Sequence, residues 1–179
     1  EMCIRDRNKT VVMFEGGGAC WEQNACQQKD GVLGATNYNG IKENYMTGGG
    51  LALYGWVTPF TSRNHPLQKV QTQSWNIIYA PYCTGDVHSG NKSNVYGDAD
   101  PTKAITYRHK GFMNGQAIAN WMGKHMAKPD KLLVTGFSAG GAGASSMYGL
   151  IRLATQPKQS AMLADSGPIF QVCLLYTSP

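Results

Sequence analysis

The chain contains 179 residues and carries a formal net charge of +5 at pH 7. Its basic residues are scattered rather than grouped in runs, so no nucleic-acid partner is predicted. No apolar stretch approaches the ~18 residues that a membrane-spanning helix needs, so no membrane span is expected.

The two ends of the chain read as foreign to the protein. Residues 1–6 can be encoded by DNA whose reverse complement, in another frame, encodes residues 173–178, Cys-Leu-Leu-Tyr-Thr-Ser. One inverted repeat therefore accounts for both ends, and it resembles the transposon end used to tag DNA for sequencing. Such segments are excluded from fold reasoning. We expect residues 1–7 and 172–179 to be adapter-derived tails, and residues 8–171 to form one partial domain whose C-terminal part is missing.

Between these ends the sequence predicts strands that alternate with helices. The strand segments are short, apolar and rich in β-branched or aromatic residues, as strands of a parallel sheet are. Prolines at 129 and 157 end the two helical segments. The predicted strands are Thr10–Phe14, Asn76–Ala80, Lys131–Thr135 and Ala161–Ala164, and the predicted helices are Gly111–Met126 and Ala139–Thr155. This order indicates the α/β class with a mostly parallel sheet.

Residues 27–74 break the alternation, because they are rich in Gly, Asn, Tyr and Thr. A long irregular segment in a compact domain usually carries function or covers a site. We expect loops and short helices there, over the edge formed by the carboxyl ends of the strands.

The segment Gly136–Gly140, with the sequence Gly-Phe-Ser-Ala-Gly, lies between a predicted strand and a predicted helix. In α/β hydrolases this pattern places a nucleophilic serine on a sharp turn, and the glycines allow the helix to approach the sheet closely. Ser138 is therefore the predicted nucleophile. The alternative is a glycine-rich turn that binds phosphate at the start of a helix.

A second glycine-rich segment, Glu15–Cys20, directly follows the first predicted strand. Acyl transfer creates an oxyanion that needs N–H donors held in place. In α/β hydrolases one donor follows the nucleophile, here Ala139, and the other comes from a loop after an earlier strand. Gly17 and Gly18 are in the position of that loop, so these three residues form the predicted oxyanion hole.

The segment Tyr82–Gly90 follows the second predicted strand, where ligands bind in open α/β sheets. Asp86 and His88 are candidates to line the site, although both could instead serve only hydrogen bonds within their loop. No second His or Cys stands at ligand spacing, so neither a metal nor another cofactor is predicted.

Three cysteines remain once those of the two tails are set aside: Cys20, Cys26 and Cys83. Cys20 and Cys26 are close enough to close a small disulfide loop, which would indicate an oxidising compartment. The alternative is a pair of reduced thiols. The odd count indicates either that Cys83 is a free thiol or that its partner is among residues that this chain does not contain.

Four blocks of the sequence, in order, resemble motifs of the pectin acetylesterase and Notum family of serine carboxylesterases, in a bacterial-type form. They are Val12–Cys20, Pro81–Gly90, Gly136–Gly141 and Asp165–Gly167. The resemblance implies an α/β-hydrolase fold, with helices on both faces of the sheet, and a metal-free esterase that is secreted or periplasmic.

The same resemblance implies roles for individual residues. It assigns Ser138 as the nucleophile, Gly17, Gly18 and Ala139 as the oxyanion hole, and Cys20 with Cys26 as a disulfide. Ala19 departs from the family pattern, in which an aromatic residue is common at this position.

The catalytic acid and base are not evident in the chain. All four histidines precede Ser138, namely His65, His88, His109 and His125. In this fold the nucleophile is followed by the acid and then by the histidine, so both are expected downstream of the chain. Asp165 is a secondary candidate for the acid, although the family resemblance argues against it.

The predicted function is hydrolysis of O-acyl esters through an acyl-enzyme on Ser138. The resemblance favours a pectin-type polysaccharide as the acetylated substrate, and other acylated small molecules are possible partners. Two alternatives remain: a fatty-acyl carboxylesterase, and a non-catalytic relative that binds carbohydrate or lipid. A histidine encoded after Gln171 would favour the enzymes.

Overall fold

The computed structural model describes residues 8–29, 33–45, 60 and 70–167. The predicted tails and His65 lie outside these residues, as does most of the irregular segment 27–74. In the described part, no helix has the length and apolar character required to cross a membrane.

Four parallel strands form the main sheet, in the spatial order β2-β1-β5-β6. They are β1 (Lys9–Phe14), β2 (Asn76–Ala80), β5 (Lys131–Phe137) and β6 (Gln159–Asp165). The central pair, β1 and β5, is in register from Lys9 with Lys131 to Phe14 with Gly136. Because these strands are parallel, the segments that follow them meet at one edge of the sheet, which confirms the predicted class.

Among the described residues, three α-helices accompany the sheet: α1 (Gln23–Cys26), α2 (Gly111–His125) and α3 (Ala139–Thr155). One core cluster joins Val12 and Phe14 of β1 and Val134 of β5 to Met122 of α2 and Met147 of α3. Both long helices therefore pack on the same face of the sheet. Val11 and Met13, which alternate with these core residues along β1, are also fully buried.

A β-hairpin that the sequence analysis did not identify lies between β2 and α2. Its antiparallel strands are β3 (Lys92–Tyr96) and β4 (Ile105–His109). They are mostly polar, so they lack the apolar run by which a buried strand is recognised. The alternation of Ile105, Tyr107 and His109 was the available signal, since Ile105 and Tyr107 pack onto the cluster of Cys20, Ala25 and Cys26.

Candidate active site

Ser138 stands at the turn from β5 into α3, in the segment Gly136–Gly140 that we call the serine elbow. Its backbone has φ 54° and ψ −121°, a conformation that residues with side chains rarely adopt. Serine at the start of a helix often accepts a hydrogen bond from that helix, but the Ser138 side chain makes no such bond. The strained turn thus leaves Oγ available for chemistry.

Backbone hydrogen bonds and close packing fix the elbow. The Ser138 N–H donates to the Asp165 carbonyl at 2.9 Å, and the Ser138 carbonyl accepts from the Gly141 N–H at 2.9 Å. At Gly140 a β-carbon would overlap the carbonyl oxygen of Phe14 and lie 2.9 Å from the carbonyl carbon of Glu15. Helix α3 therefore approaches β1 as closely as only glycine permits.

Glu15–Cys20 forms the glycine loop, which follows β1 and lies beside the elbow. A β-carbon at Gly16 would lie 3.5 Å from Ser138 Cβ. Gly17 and Gly18 have φ values of 128° and 91°, which favour glycine. Their N–H groups, like that of Ala139, have no hydrogen-bond acceptor among the described residues. The structure therefore brings the predicted nucleophile close to a loop with free amide donors.

A cleft of about 390 Å³ opens between the loop and the elbow. Residues 18–21 and 85–87 line it together with Ser138 and Ala139. Ala139 and Gly85 are buried, whereas Trp21 is 64% exposed. The serine thus lies in a depression that is lined mainly by small residues and bordered by one large aromatic ring.

Glu15 anchors the glycine loop, a role that the sequence analysis missed. Its side chain is fully buried. Its carboxylate accepts from the Tyr82 N–H at 2.7 Å, the Asn37 side-chain amide at 2.7 Å and the Tyr45 hydroxyl. A buried carboxylate is tolerated only where such donors replace water. Glu15 therefore fastens the start of the loop to two distant segments of the chain.

Asp86 borders the cleft, but its carboxylate is engaged in the local fold. One oxygen accepts from the Thr84 hydroxyl at 2.5 Å and the His88 N–H at 3.1 Å. The other accepts from the N–H groups of Gly90 at 3.0 Å and Gly111 at 2.7 Å. Gly111 is the first residue of α2, so Asp86 also caps that helix and complements its dipole.

His88 is not among the residues that line the cleft. It is buried against Phe14 and Tyr82, and its Nε2–H donates to the Glu15 carbonyl at 2.8 Å. Burial lowers the pKa of His88, although the Glu15 carbonyl and the Asp86 charge oppose this shift. Neutral His88 thus supports the glycine loop from a position outside the cleft.

The loop between β2 and β3 is strained where it borders the cleft. Val87 has φ 50°, which is rare for a β-branched residue. The Tyr82 hydroxyl accepts from the Val87 N–H at 2.9 Å and helps to hold it. Burial raises the pKa of Tyr82 well above its ordinary value, so the phenol stays protonated.

Cys20 and Cys26 form the predicted disulfide, which links the end of the glycine loop to α1. The Cys20 N–H also donates to the Gly85 carbonyl at 2.8 Å. Buried Gln23 fixes α1 to the hairpin turn: its side-chain amide donates to the Asp100 and Lys103 carbonyls and its oxygen accepts from two N–H groups of that turn. The hairpin therefore supports the loop through α1 and the disulfide.

The remaining described histidines are placed away from the serine. His109 is the last residue of β4, and its ring nitrogens form hydrogen bonds with the Thr84 carbonyl and the Tyr96 hydroxyl. His125 ends α2 and stacks on Trp121.

Cys20, Cys26 and His109 bring ligand-type atoms within 4.8 Å of one another, but the two sulfurs are joined in the disulfide. Cys83 is a free, half-buried thiol whose pKa burial raises.

A sequence profile identifies the family of the chain, and a solved structure shares its fold. The sequence profile described as Pectinacetylesterase matches residues 4–172. Among solved structures, the Wnt deacylase Notum from Drosophila superposes with a TM-score of 0.52 at 18% identity. The match covers 90% of this chain and 45% of Notum, so the chain spans less than half of that protein's length. No curated protein matches the chain by sequence.

Proposed function

The chain belongs to the pectinacetylesterase family, and on this premise we propose that it carries the nucleophile and oxyanion hole of a serine carboxylesterase. The proposed substrate is an acetyl ester on a pectin-type polysaccharide. The observation that carries the proposal is the placement of Ser138, whose strained backbone presents an uncapped hydroxyl beside the free N–H groups of the glycine loop.

The proposed reaction has two stages. Ser138 Oγ loses its proton to a base and attacks the acyl carbonyl, and the developing oxyanion accepts hydrogen bonds from Ala139 and from Gly17 or Gly18. The tetrahedral intermediate then expels the alcohol, which takes up the proton, and leaves an acyl-enzyme. Water attacks this ester in the same way, releasing the acid and restoring the serine.

The lining of the cleft favours a short acyl group over a fatty one. Among the described residues, Trp21 and Val87 are the only large apolar side chains that line it. Sites for long apolar ligands are lined mainly by large hydrophobic and aromatic side chains. Gly18, Ala19 and Ala139 leave room for an acetyl group instead.

The acid and base are proposed to lie in a part of the protein outside this chain. All four histidines precede Ser138 in the chain. Among those that the structure describes, His88 and His109 are buried and hydrogen-bonded to main-chain carbonyls, and His125 lies against Trp121 at the far end of α2. The disulfide supports placement in a secreted or periplasmic compartment, because such bonds persist where conditions are oxidising.

Acetate release by the whole protein, measured on an acetylated polysaccharide, tests the proposal. Ser138→Ala should lower kcat/KM on the order of 10⁴-fold or more, because the nucleophile is lost. Ser145→Ala is the control: Ser145 is exposed on α3, and its hydroxyl donates to the Gly141 carbonyl one turn earlier.

The chain alone should show no burst of product with an activated acetyl ester. Full activity of the chain alone would contradict the proposed location of the base. Undiminished activity of Ser138→Ala would contradict the nucleophile. Absence of acetate release by the unmodified whole protein would favour a non-catalytic binding role.

A further inference from the structure

Trp21 is exposed although it borders the cleft that contains Ser138. Its side chain is 64% exposed, whereas neighbouring Cys20 is 5% exposed. Exposing a ring of this size forfeits the apolar burial that normally holds tryptophan in a fold. Trp21 therefore contributes little to the core of the described chain, and its position beside the serine calls for another role.

The backbone on both sides of Trp21 is fixed. On one side, Cys20 is held by the disulfide and by the hydrogen bond of its N–H to Gly85. On the other side, the Gln23 N–H donates to the Asp98 carboxylate at 3.1 Å and the Gln23 side chain is fully bonded to the hairpin turn. Binding to a ring on such a fixed segment costs little conformational entropy.

Within the part of the chain that the structure describes, nothing occupies the Trp21 ring. Among the described residues, Trp21 makes no ring contact, and its indole N–H has no hydrogen-bond acceptor. The electron-rich face of an indole attracts C–H groups that carry partial positive charge, and the N–H donates to hydroxyl oxygens. A sugar ring presents both, with C–H groups on one face and hydroxyls around its edge.

The relative exposure of the lining residues gives the orientation of the substrate. The acyl carbonyl must reach Ser138, which adjoins buried Ala139, so the alcohol portion of the ester extends outward toward exposed Trp21. A group that remains partly in solvent, such as one unit of a polymer, suits a platform of this exposure. An aliphatic chain would require the ring to be enclosed.

We infer that Trp21 is a carbohydrate-stacking platform, which binds a sugar unit of the polysaccharide next to the acetylated position. The inference rests on the proposed function and deepens it, because it assigns recognition of the polymer to one residue that takes no part in the chemistry.

Kinetics on two substrates separate recognition from chemistry. In the whole protein, Trp21→Ala should raise KM for an acetylated oligogalacturonate about tenfold, the upper range for one aromatic contact. The loss of kcat/KM for glycerol triacetate, which has no ring, should be much smaller. Trp21→Phe should recover most of the affinity, because it restores a flat aromatic face.

Trp121→Ala is the matched control, since Trp121 is 51% exposed but lies on α2 and stacks on His125. Trp121→Ala should leave KM and kcat unchanged for both substrates. Equal losses on the two substrates for Trp21→Ala, or no loss on either, would overturn the inference. A larger loss on a long-chain acyl ester than on the oligosaccharide would also overturn it.

A binding measurement distinguishes failure of this inference from failure of the proposed function. Calorimetric titration of the whole protein carrying Ser138→Ala with the same oligosaccharide requires no turnover. Weaker binding on adding Trp21→Ala supports the platform even if no ester is hydrolysed by the wild-type protein. Equal binding with and without Trp21→Ala contradicts the platform whatever the activity.

Discussion

The serine elbow and the glycine loop meet at one cleft, but different interactions hold them. The elbow is built from consecutive elements, β5 and α3, and its geometry depends on glycine at Gly136 and Gly140, where backbones touch. The glycine loop has no regular structure. It is held by the Cys20–Cys26 disulfide, by the hydrogen bonds of the buried Glu15 carboxylate and by the imidazole of His88, and the partners in these contacts come from separate parts of the chain.

This difference in how the two segments are held indicates which parts of the site depend on local sequence and which depend on the whole domain. Changes at the elbow should act sterically and damage packing directly. Changes to the supports of the loop should act at a distance, lowering stability and displacing the N–H groups of Gly17 and Gly18 while leaving Ser138 in place. Substitutions in the two regions should therefore be separable by experiment.

The largest effect on stability is expected from Gly140→Ala in the elbow. The added methyl would overlap the Phe14 carbonyl oxygen of β1 and lie 2.9 Å from the Glu15 carbonyl carbon, and sheet backbone cannot yield cheaply. We expect a loss of about 3 kcal/mol in the free energy of unfolding, measured by urea denaturation.

Gly149→Ala is the control for Gly140→Ala, because it lies in the same helix with nothing within 4 Å of its added methyl. There the helix propensity of alanine should stabilise by about 0.5–1 kcal/mol. If both variants lost similar amounts of unfolding free energy, the close approach of α3 to β1 would not be the reason that position 140 requires glycine.

The next effect is expected from Glu15→Gln in the support of the loop. The amide keeps the size of the carboxylate but has one acceptor oxygen for donors from Tyr82, Asn37 and Tyr45. Leaving buried donors unpaired should cost about 2–3 kcal/mol of unfolding free energy and lower kcat of the whole protein. Exposed Glu43→Gln is the control and should change neither. Unchanged stability of Glu15→Gln would refute the anchoring role.

Removing the disulfide by replacing Cys20 and Cys26 with serine should cost roughly 2 kcal/mol, as the loop it closes is short. Activity of the whole protein should fall with it, because the bridge fixes the end of the glycine loop. Peptide mass mapping of protein made under oxidising conditions should recover the bridged pair. Recovery of both thiols free would contradict the structure.

The smallest effect is expected from the titration of His88. Burial lowers its pKa in the folded protein, so the unfolded chain binds the proton first, near pH 6.5. The contribution of His88 to stability should therefore decline as the pH falls below about 6.5 and level off once the pH is below the lowered pKa. His88→Gln should flatten this dependence, whereas exposed His125→Gln should preserve it. An identical pH profile for His88→Gln would exclude this origin.

The sequence predicted what is encoded locally. The alternation of strands and helices and the elbow around Ser138 follow from patterns within short stretches, and the structure reproduces those elements to within a few residues. Glu15 and Gln23 carry no such pattern, because their partners lie up to 80 residues away. Asp86 and His88 were identified by their position after β2, but their bonds to Gly111 and the Glu15 carbonyl arise only when distant segments pack together.

The most direct test of the central claim is to find which residue becomes covalently modified. The whole protein treated with an alkyl fluorophosphonate, which phosphonylates activated serines, should gain one adduct. Fragmentation of the modified peptide should place it on Ser138, and Ser138→Ala should gain none. An adduct on another residue, or no adduct on a protein that still releases acetate, would contradict the account.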